Sequence, residues 1–215
     1  MHIPPPYTPP PEADLTSLFV DDDIIVADKP SGLLSVPGRG GEKATCAESL
    51  LAERHGSAFT VHRLDMDTSG VMVFARTKAA QRALSICFQK RLPKKQYTAI
   101  VEGAPQGDSG TIALPIAKFS HQRPLRHIDK DGQEAITHWQ VIERDNNKTR
   151  LKLTPETGRS HQLRLHLSAI GHPILGDPFY GDTALAKRLL LHADTLSFPH
   201  PKTMKPIRFK AKSPF

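Results

Sequence analysis

The sequence predicts an α+β chain built on a mainly antiparallel sheet. Short apolar runs, alternating or rich in β-branched residues, dominate it, as at 71–75, 97–101 and 150–153. Helical spacing with start and stop signals is confined to three segments, near 45–56, 77–88 and 160–171. These fall irregularly among the strands and no internal repeat is present, which argues against a regular βαβ alternation.

At 215 residues the chain can hold one sizeable core, or at most two small ones. Its 38% hydrophobic and 24% charged content is ordinary for a globular protein. No apolar run approaches the ~20 residues of a membrane span. The start, Met1-His2-Ile3-Pro4-Pro5-Pro6, has neither a basic n-region nor an apolar h-region, so no signal peptide is expected. Cys46 and Cys87 suggest no disulfide framework and are expected as reduced core residues in a cytoplasmic protein. The net charge of +7, from 29 Lys and Arg against 22 Asp and Glu, suits a polyanionic partner.

Residues 1–13 carry six prolines within the first eleven positions and are expected to form an extended, flexible tail. A single domain over 14–215 is expected to follow, with no separate N-terminal module. Residues 18–20 and 24–27 read as strands around the acidic turn Asp21-Asp22-Asp23. In Lys29-Pro30-Ser31-Gly32, Pro fixes φ and Gly supplies a permissive backbone, and 33–36 is predicted to return as a hairpin. Thr45-x-x-Glu48 has the pattern of a capping box, opening a helix with Leu50 and Leu51 that stops near Gly56. Thr77 is predicted to cap the next helix, where Ala80, Ala83, Leu84, Cys87 and Phe88 share one face.

Alternation places Tyr97, Ala99 and Val101 together on one strand face, and Ala135, Thr137, Trp139 and Val141 together on another. Between these strands, residues 118–130 carry Lys118, His121, Arg123, Arg126, His127 and Lys130 against Asp129 alone. Such a run is a solvated loop, or in a basic protein a finger that tracks phosphates. Thr157 or Ser160 is predicted to cap the third helix, with Leu163, Leu167 and Ile170 as its apolar stripe and Gly171 as its end. His161 and His166 are five apart and lack a neighbouring acid, which argues against a helical zinc pair. Residues 195–198 and 207–210 close the chain as a hairpin.

The stretch that organises the chain is His62-Arg63-Leu64-Asp65-Met66-Asp67-Thr68-Ser69-Gly70, which runs into the apolar strand 71–75. Two carboxylates, an Arg, a His and two hydroxyls gather in a loop beside a core strand, where sites are commonly built. A plain capping turn through Asp67, Thr68 or Ser69 is the other reading. His62-Arg63-Leu64-Asp65 with Thr68-Ser69-Gly70 resembles the signature of the RluA-type pseudouridine synthases, which isomerise uridine in RNA. Asp28-Lys29-Pro30-Ser31-Gly32 ahead of it resembles the family's first motif. Lys95-Gln96-Tyr97, Gly158-Arg159-Ser160-His161-Gln162-Leu163-Arg164-Leu165-His166 and His172-Pro173-Ile174-Leu175-Gly176-Asp177 continue the resemblance in the family's order. It spans about residues 15–212, and its departures are conservative: Ser160 where Thr is common, and Leu beside Arg164.

The resemblance implies a bent central sheet flanked by helices. It makes Asp65 the catalytic carboxylate, Tyr97 the residue that stacks on the target base or accepts a proton, and Arg164 the cation that contacts the Asp. It calls for no metal and no organic cofactor. His62, Thr68, Arg159, His161 and Gln162 are expected to line the RNA, with Arg123 and Arg126 along its backbone. Arg63 lies two residues before Asp65, on the same side of an extended chain, and is expected to fill the vacated stack or grip a flanking phosphate. Its alternative is an ion pair with Asp67. The expected partner is structured RNA, a stem-loop of rRNA or tRNA or both, read by a monomer without accessory module or membrane. Two competing classes are a catalytically silent RNA-binding module and a nuclease using His161 and His166.

Overall fold

A computed structural model describes residues 7–38, 40–119 and 124–215. The chain divides into two compact units, Met1–Pro93 with Leu196–Ala211, and Lys94–Thr195 with Lys212–Phe215.

In the first unit, β1 (Thr16–Val20) and β2 (Ile24–Lys29) form an antiparallel pair around the acidic turn. Asp21 closes this turn, its Oδ1 accepting the N–H groups of Asp23 and Ile24 at 2.8 Å each. The short β3 (Phe59–Thr60) and β2 both pair antiparallel with β4 (Ser69–Ala75). Every residue of β4 is buried, as an apolar run without alternation requires. Helices α1 (Ala47–His55) and α2 (Lys78–Gln89) complete the unit. Thr77 caps α2 by accepting the Ala80 N–H at 3.1 Å, and Ala80, Leu84 and Cys87 turn inward against Ile24, Val26, Val71 and Val73.

Two local expectations are corrected here. The N-cap of α1 is Cys46, not Thr45: its sulfur accepts the Ser49 N–H while Ser49 Oγ accepts the Cys46 N–H. The box is therefore shifted by one residue, and Glu48 instead accepts the N–H of Thr60. Residues 33–36 do not return as a strand, because β2 already has β1 and β4 on its two sides. Their carbonyls take the first N–H groups of α1 instead, Ala47 to Leu34 and Glu48 to Ser35. The Leu34 N–H donates to the hydroxyl of Tyr7, which in turn donates to the Thr45 carbonyl, so the proline-rich segment is tied down at that point.

In the second unit the sheet is built from β5 (Lys94–Glu102), β6 (Ser109–Ala113), β9 (Ile136–Asp145) and β10 (Lys148–Pro155), with β7 (Ile116–Lys118) and β8 (Arg126–Ile128) as a separate hairpin. Helix α3 (Gln162–Ala169) follows. The order is β5-β10-β9-β6, antiparallel throughout. Ala99, Val101, Trp139, Leu151 and Leu153 form its core with Leu163 and Leu167 of α3, the faces that alternation predicts. Strand β11 (Leu191–Pro199) divides between the two units after Thr195, and β12 (Pro206–Lys210) pairs with it.

Helix α3 departs from expectation at its start and in its exposure. Its N-cap is His161 in the left-handed region, φ 58°, with no side-chain cap. Thr157 is occupied elsewhere, accepting the Ile136 N–H and donating to Gln162 Oε1. The helix does not show one apolar stripe: Gln162, Arg164 and His166 are as buried as Leu163 and Leu167, while Ile170 is 36% exposed. Gly171 ends it at φ 83°, as predicted.

Candidate active site

In the first unit the loop 62–68 is held by the segment 29–35. Lys29 is fully buried, and its ammonium donates to the carbonyls of Pro30, Leu33 and Met66 at 2.9, 2.7 and 2.9 Å. The Gly32 N–H reaches the same Met66 carbonyl, Ser31 Oγ donates to the Asp67 carbonyl, and Ser35 Oγ bridges the Leu64 carbonyl and N–H. Thr68 N–H closes a turn on the Asp65 carbonyl. Backbone groups on both sides of Asp65 are thus fixed, and its half-buried carboxylate is carried on a rigid turn. Gly70, the second residue of β4, has φ 117°, a conformation that favours glycine and explains the last residue of the motif.

The other residues of this motif have different fates. Thr68 is buried. His62 stacks on Phe88 with centroids 4.5 Å apart, and its Nε2 accepts the Val73 N–H, so its ring is engaged in bracing β4 and α2. Arg63 is exposed and forms no ion pair with Asp67 or any other described residue.

In the second unit Tyr97 is half-buried on β5, opposite Leu153. Arg164 is 2% exposed, and its guanidinium makes a two-pronged pair with Asp177, Nε to Oδ2 at 2.8 Å and Nη2 to Oδ1 at 2.6 Å. Asp177 Oδ1 also accepts the N–H groups of Phe179 and Tyr180, at 2.8 and 3.1 Å. One carboxylate therefore fixes both the arginine fork and the turn that follows it. Phe179 and Tyr180 present their rings to Arg164, at 5.0 and 5.6 Å from the guanidinium carbon. Burial pushes the Tyr180 hydroxyl above its ordinary value, against the opposing Arg126 N–H and nearby guanidinium groups, so it keeps its proton. It accepts the Arg126 N–H at 3.0 Å and is hydrogen-bonded to His161 Nδ1 at 2.9 Å.

Gln162 corrects an expectation. Its Oε1 accepts from Thr157 Oγ1 and the Arg159 N–H, and its Nε2 donates to the Ile136 carbonyl and Thr137 Oγ1. With four bonds made and 4% exposure, this amide braces α3 against β9 and has no capacity left for RNA. His166 is likewise internal, bonded to Thr137 Oγ1 and to the Leu114 carbonyl. Arg159 uses its Nε on the Glu134 carbonyl, and Arg126 uses one Nη on the carbonyls of Pro124 and Leu125. Both arginines line a groove of about 440 Å³ with Lys118, Gly158 and Ser160. Arg123 and His121 lie outside the described residues. Asp177, Phe179 and Tyr180 were not singled out from sequence as site residues. The available signal was an Asp-Pro turn with two aromatics directly after the arginine helix.

The fold is that of known pseudouridylate synthases. The solved structure of human RNA Pseudouridylate Synthase Domain Containing 1 superposes with a TM-score of 0.81 at 27% identity, covering 97% of this chain and 87% of that one. Human RNA Pseudouridylate Synthase Domain Containing 4 gives 0.74 at 27% identity, over 92% and 88%. The family model for RNA pseudouridylate synthase matches residues 23–169. A Dual-specificity RNA pseudouridine synthase RluA from Haemophilus influenzae is 47% identical over 97% of this chain and 98% of its own. The protein of that name from Escherichia coli is also 47% identical over the same shares. The chain belongs to the RNA pseudouridylate synthase family, and its activity is that of an isomerase. No described helix is long and apolar enough to cross a membrane.

Proposed function

We propose that this chain converts uridine to pseudouridine in small stem-loops of both large-subunit rRNA and tRNA, the latter in the anticodon arm, with Asp65 as the catalytic carboxylate. The observation that carries the reading is the turn at 64–68, in which an Asp is held by main-chain bonds on either side. The reaction breaks the N1–C1′ bond, turns the uracil and rejoins it through C5. Asp65 acts either by attack at C6 of the base or at the sugar, where loss of the C2′ proton gives a glycal. Either course needs an ionised carboxylate in a site closed to water, since hydrolysis would destroy the RNA. Arg164 is the basic residue that serves the reaction in this reading, and Asp177 keeps its fork in one orientation. Tyr97 stacks on the uracil and relays a proton.

The uridine leaves its stack at a cost of a few kcal/mol, least in a loop. Arg63, exposed and not committed to another described residue, enters the gap or grips the flanking phosphate. Arg159, His161, Arg123 and Arg126 serve the RNA around it, and the buried Thr68, like His62, acts by holding the loop. The protein works as a cytoplasmic monomer, reading loop shape and unstacked bases.

The test is tritium release from C5-labelled uridine in rRNA and anticodon hairpins. Wild type should release tritium without added metal, Asp65→Asn should not, and Arg63→Ala should lose turnover or RNA affinity while melting normally. Binding without release by wild type on every hairpin would sink the reading in favour of a silent RNA-binding module.

A further inference from the structure

Among the described residues of the second unit, Phe179 is the one aromatic ring with a large exposed surface, at 42%. It is not a loose surface side chain. Its backbone N–H is fixed by the buried Asp177 carboxylate at 2.8 Å, and one face of its ring lies on His161, centroids 5.5 Å apart and planes 14° from parallel. His161 is itself over-determined: it holds a left-handed backbone at φ 58°, and its Nδ1 is bonded to Tyr180. Arg164 adds its guanidinium at 5.0 Å from the Phe179 centroid. A rigid ring backed by an imidazole and a cation is a poor use of an exposed hydrophobic surface unless something flat covers it.

The same hub leads to the basic groove. Tyr180, which binds His161, also accepts the N–H of Arg126, and Arg126 lines the groove with Lys118, Arg159 and Ser160. An aromatic face close to a cationic groove has the two features that single-stranded RNA recognition combines: stacking for a base and positive charge for its phosphate. We propose that Phe179 is a stacking platform for an unpaired nucleobase of the RNA other than the target uridine, with the adjoining phosphate held by Lys118, Arg126 and Arg159. The base is selected by being unpaired and flat, so this subsite reads loop shape and not base identity. The inference rests on the hairpin-RNA reading above.

The test uses the full chain and a hairpin from which wild type releases tritium. Dissociation constants are measured for wild type, Phe179→Ala, Phe179→Leu and Phe179→Tyr. Each is taken on the intact hairpin and on a set with one abasic residue at each unpaired non-target position. Phe179→Ala should bind about tenfold or more weakly, Tyr should retain affinity, and Leu should remain weak. One abasic position should weaken wild type by a similar factor and add nothing to Phe179→Ala. Should the Ala variant melt, the Tyr and Leu pair decides alone. An Ala variant within about twofold of wild type, or full rescue by Leu, would overturn the platform. No release by wild type from any hairpin would instead overturn the substrate reading beneath it.

Discussion

Replacing Asp177 by Asn changes one atom of a buried ion pair and keeps its shape. Two orientations of the new amide are possible, and both fail. If its nitrogen takes the place of Oδ2, it faces the Arg164 Nε–H, a donor against a donor. If it takes the place of Oδ1, it faces Arg164 Nη2 and the N–H groups of Phe179 and Tyr180 together. Removing one partner of a buried pair costs about 3–5 kcal/mol, because the other charge is left in a poor solvent. Arg164 has further contacts in the fold, which places the expected loss near the low end, about 3 kcal/mol. That is a large share of the ~5–15 kcal/mol that holds a domain folded. Urea unfolding is a suitable assay because the only tryptophan, Trp139, lies buried on β9 in the same unit and reports its unfolding. With a denaturant slope of about 2 kcal/mol/M, the midpoint should fall by roughly 1.5 M. Adding Arg164→Met to the variant should cost clearly less than the sum of the two single changes, since the stranded charge is gone. A midpoint within about 0.3 M of wild type, or strict additivity of the two substitutions, would refute the reasoning.

Lys29→Met leaves the carbonyls of Pro30, Leu33 and Met66 without their shared donor and should cost about 2–4 kcal/mol. Tritium-release turnover should fall more than RNA affinity, because Met66 adjoins Asp65; unchanged melting and turnover would contradict the clamp. Burial pushes the His166 imidazole below its ordinary 6.5, against the opposing bond to the Leu114 carbonyl. The unfolded chain therefore takes up this proton first. The corresponding stability is fully present above about pH 6.5 and is lost as pH falls through the depressed folded value, at up to ~1.4 kcal/mol per pH unit. Urea midpoints of wild type and His166→Gln across pH 5–8 should diverge in slope, and parallel curves would show that His166 does not titrate this way. Gly176 sits at φ 73°, and a Cβ there would lie 2.1 Å from the Arg188 carbonyl oxygen. Gly176→Ala should therefore destabilise by about 2–4 kcal/mol, and a wild-type melting temperature would disprove the close approach.

Most strands were legible because their periodicity is a direct imprint of burial. Residues 97–101, 135–142 and 150–153 alternate since one face meets the core, and 71–75 does not alternate since both faces do. Helix starts were read less well. A capping box is a pattern of residue types, and Thr45 fits it as well as Cys46; only the backbone decides which oxygen or sulfur reaches the N3 amide. The hairpin expected at 33–36 failed for a non-local reason. Turn chemistry after Lys29 was correctly seen, but the partner edge was already taken by β4, more than thirty residues on.

The motifs mark where the site is proposed, yet not which polar residues face outward. Gln162, His62 and His166 sit in or beside the most recognisable stretches, and each is spent on the interior. The buried Arg164–Asp177 ion pair explains why. Bringing a guanidinium to 2% exposure on α3 requires a carboxylate in reach, here Asp177. The helix that carries Arg164 must then be enclosed on more than its apolar side. Its remaining polar side chains become buried with it and need partners of their own, which Thr137, Thr157 and the carbonyls of Leu114 and Ile136 provide. The density of polar residues along such a motif thus measures the support one buried charge needs as much as the number of groups that touch substrate. Exposure separates the two: of the residues the motifs point to, Arg63 stands open to solvent, whereas Gln162 cannot reach it.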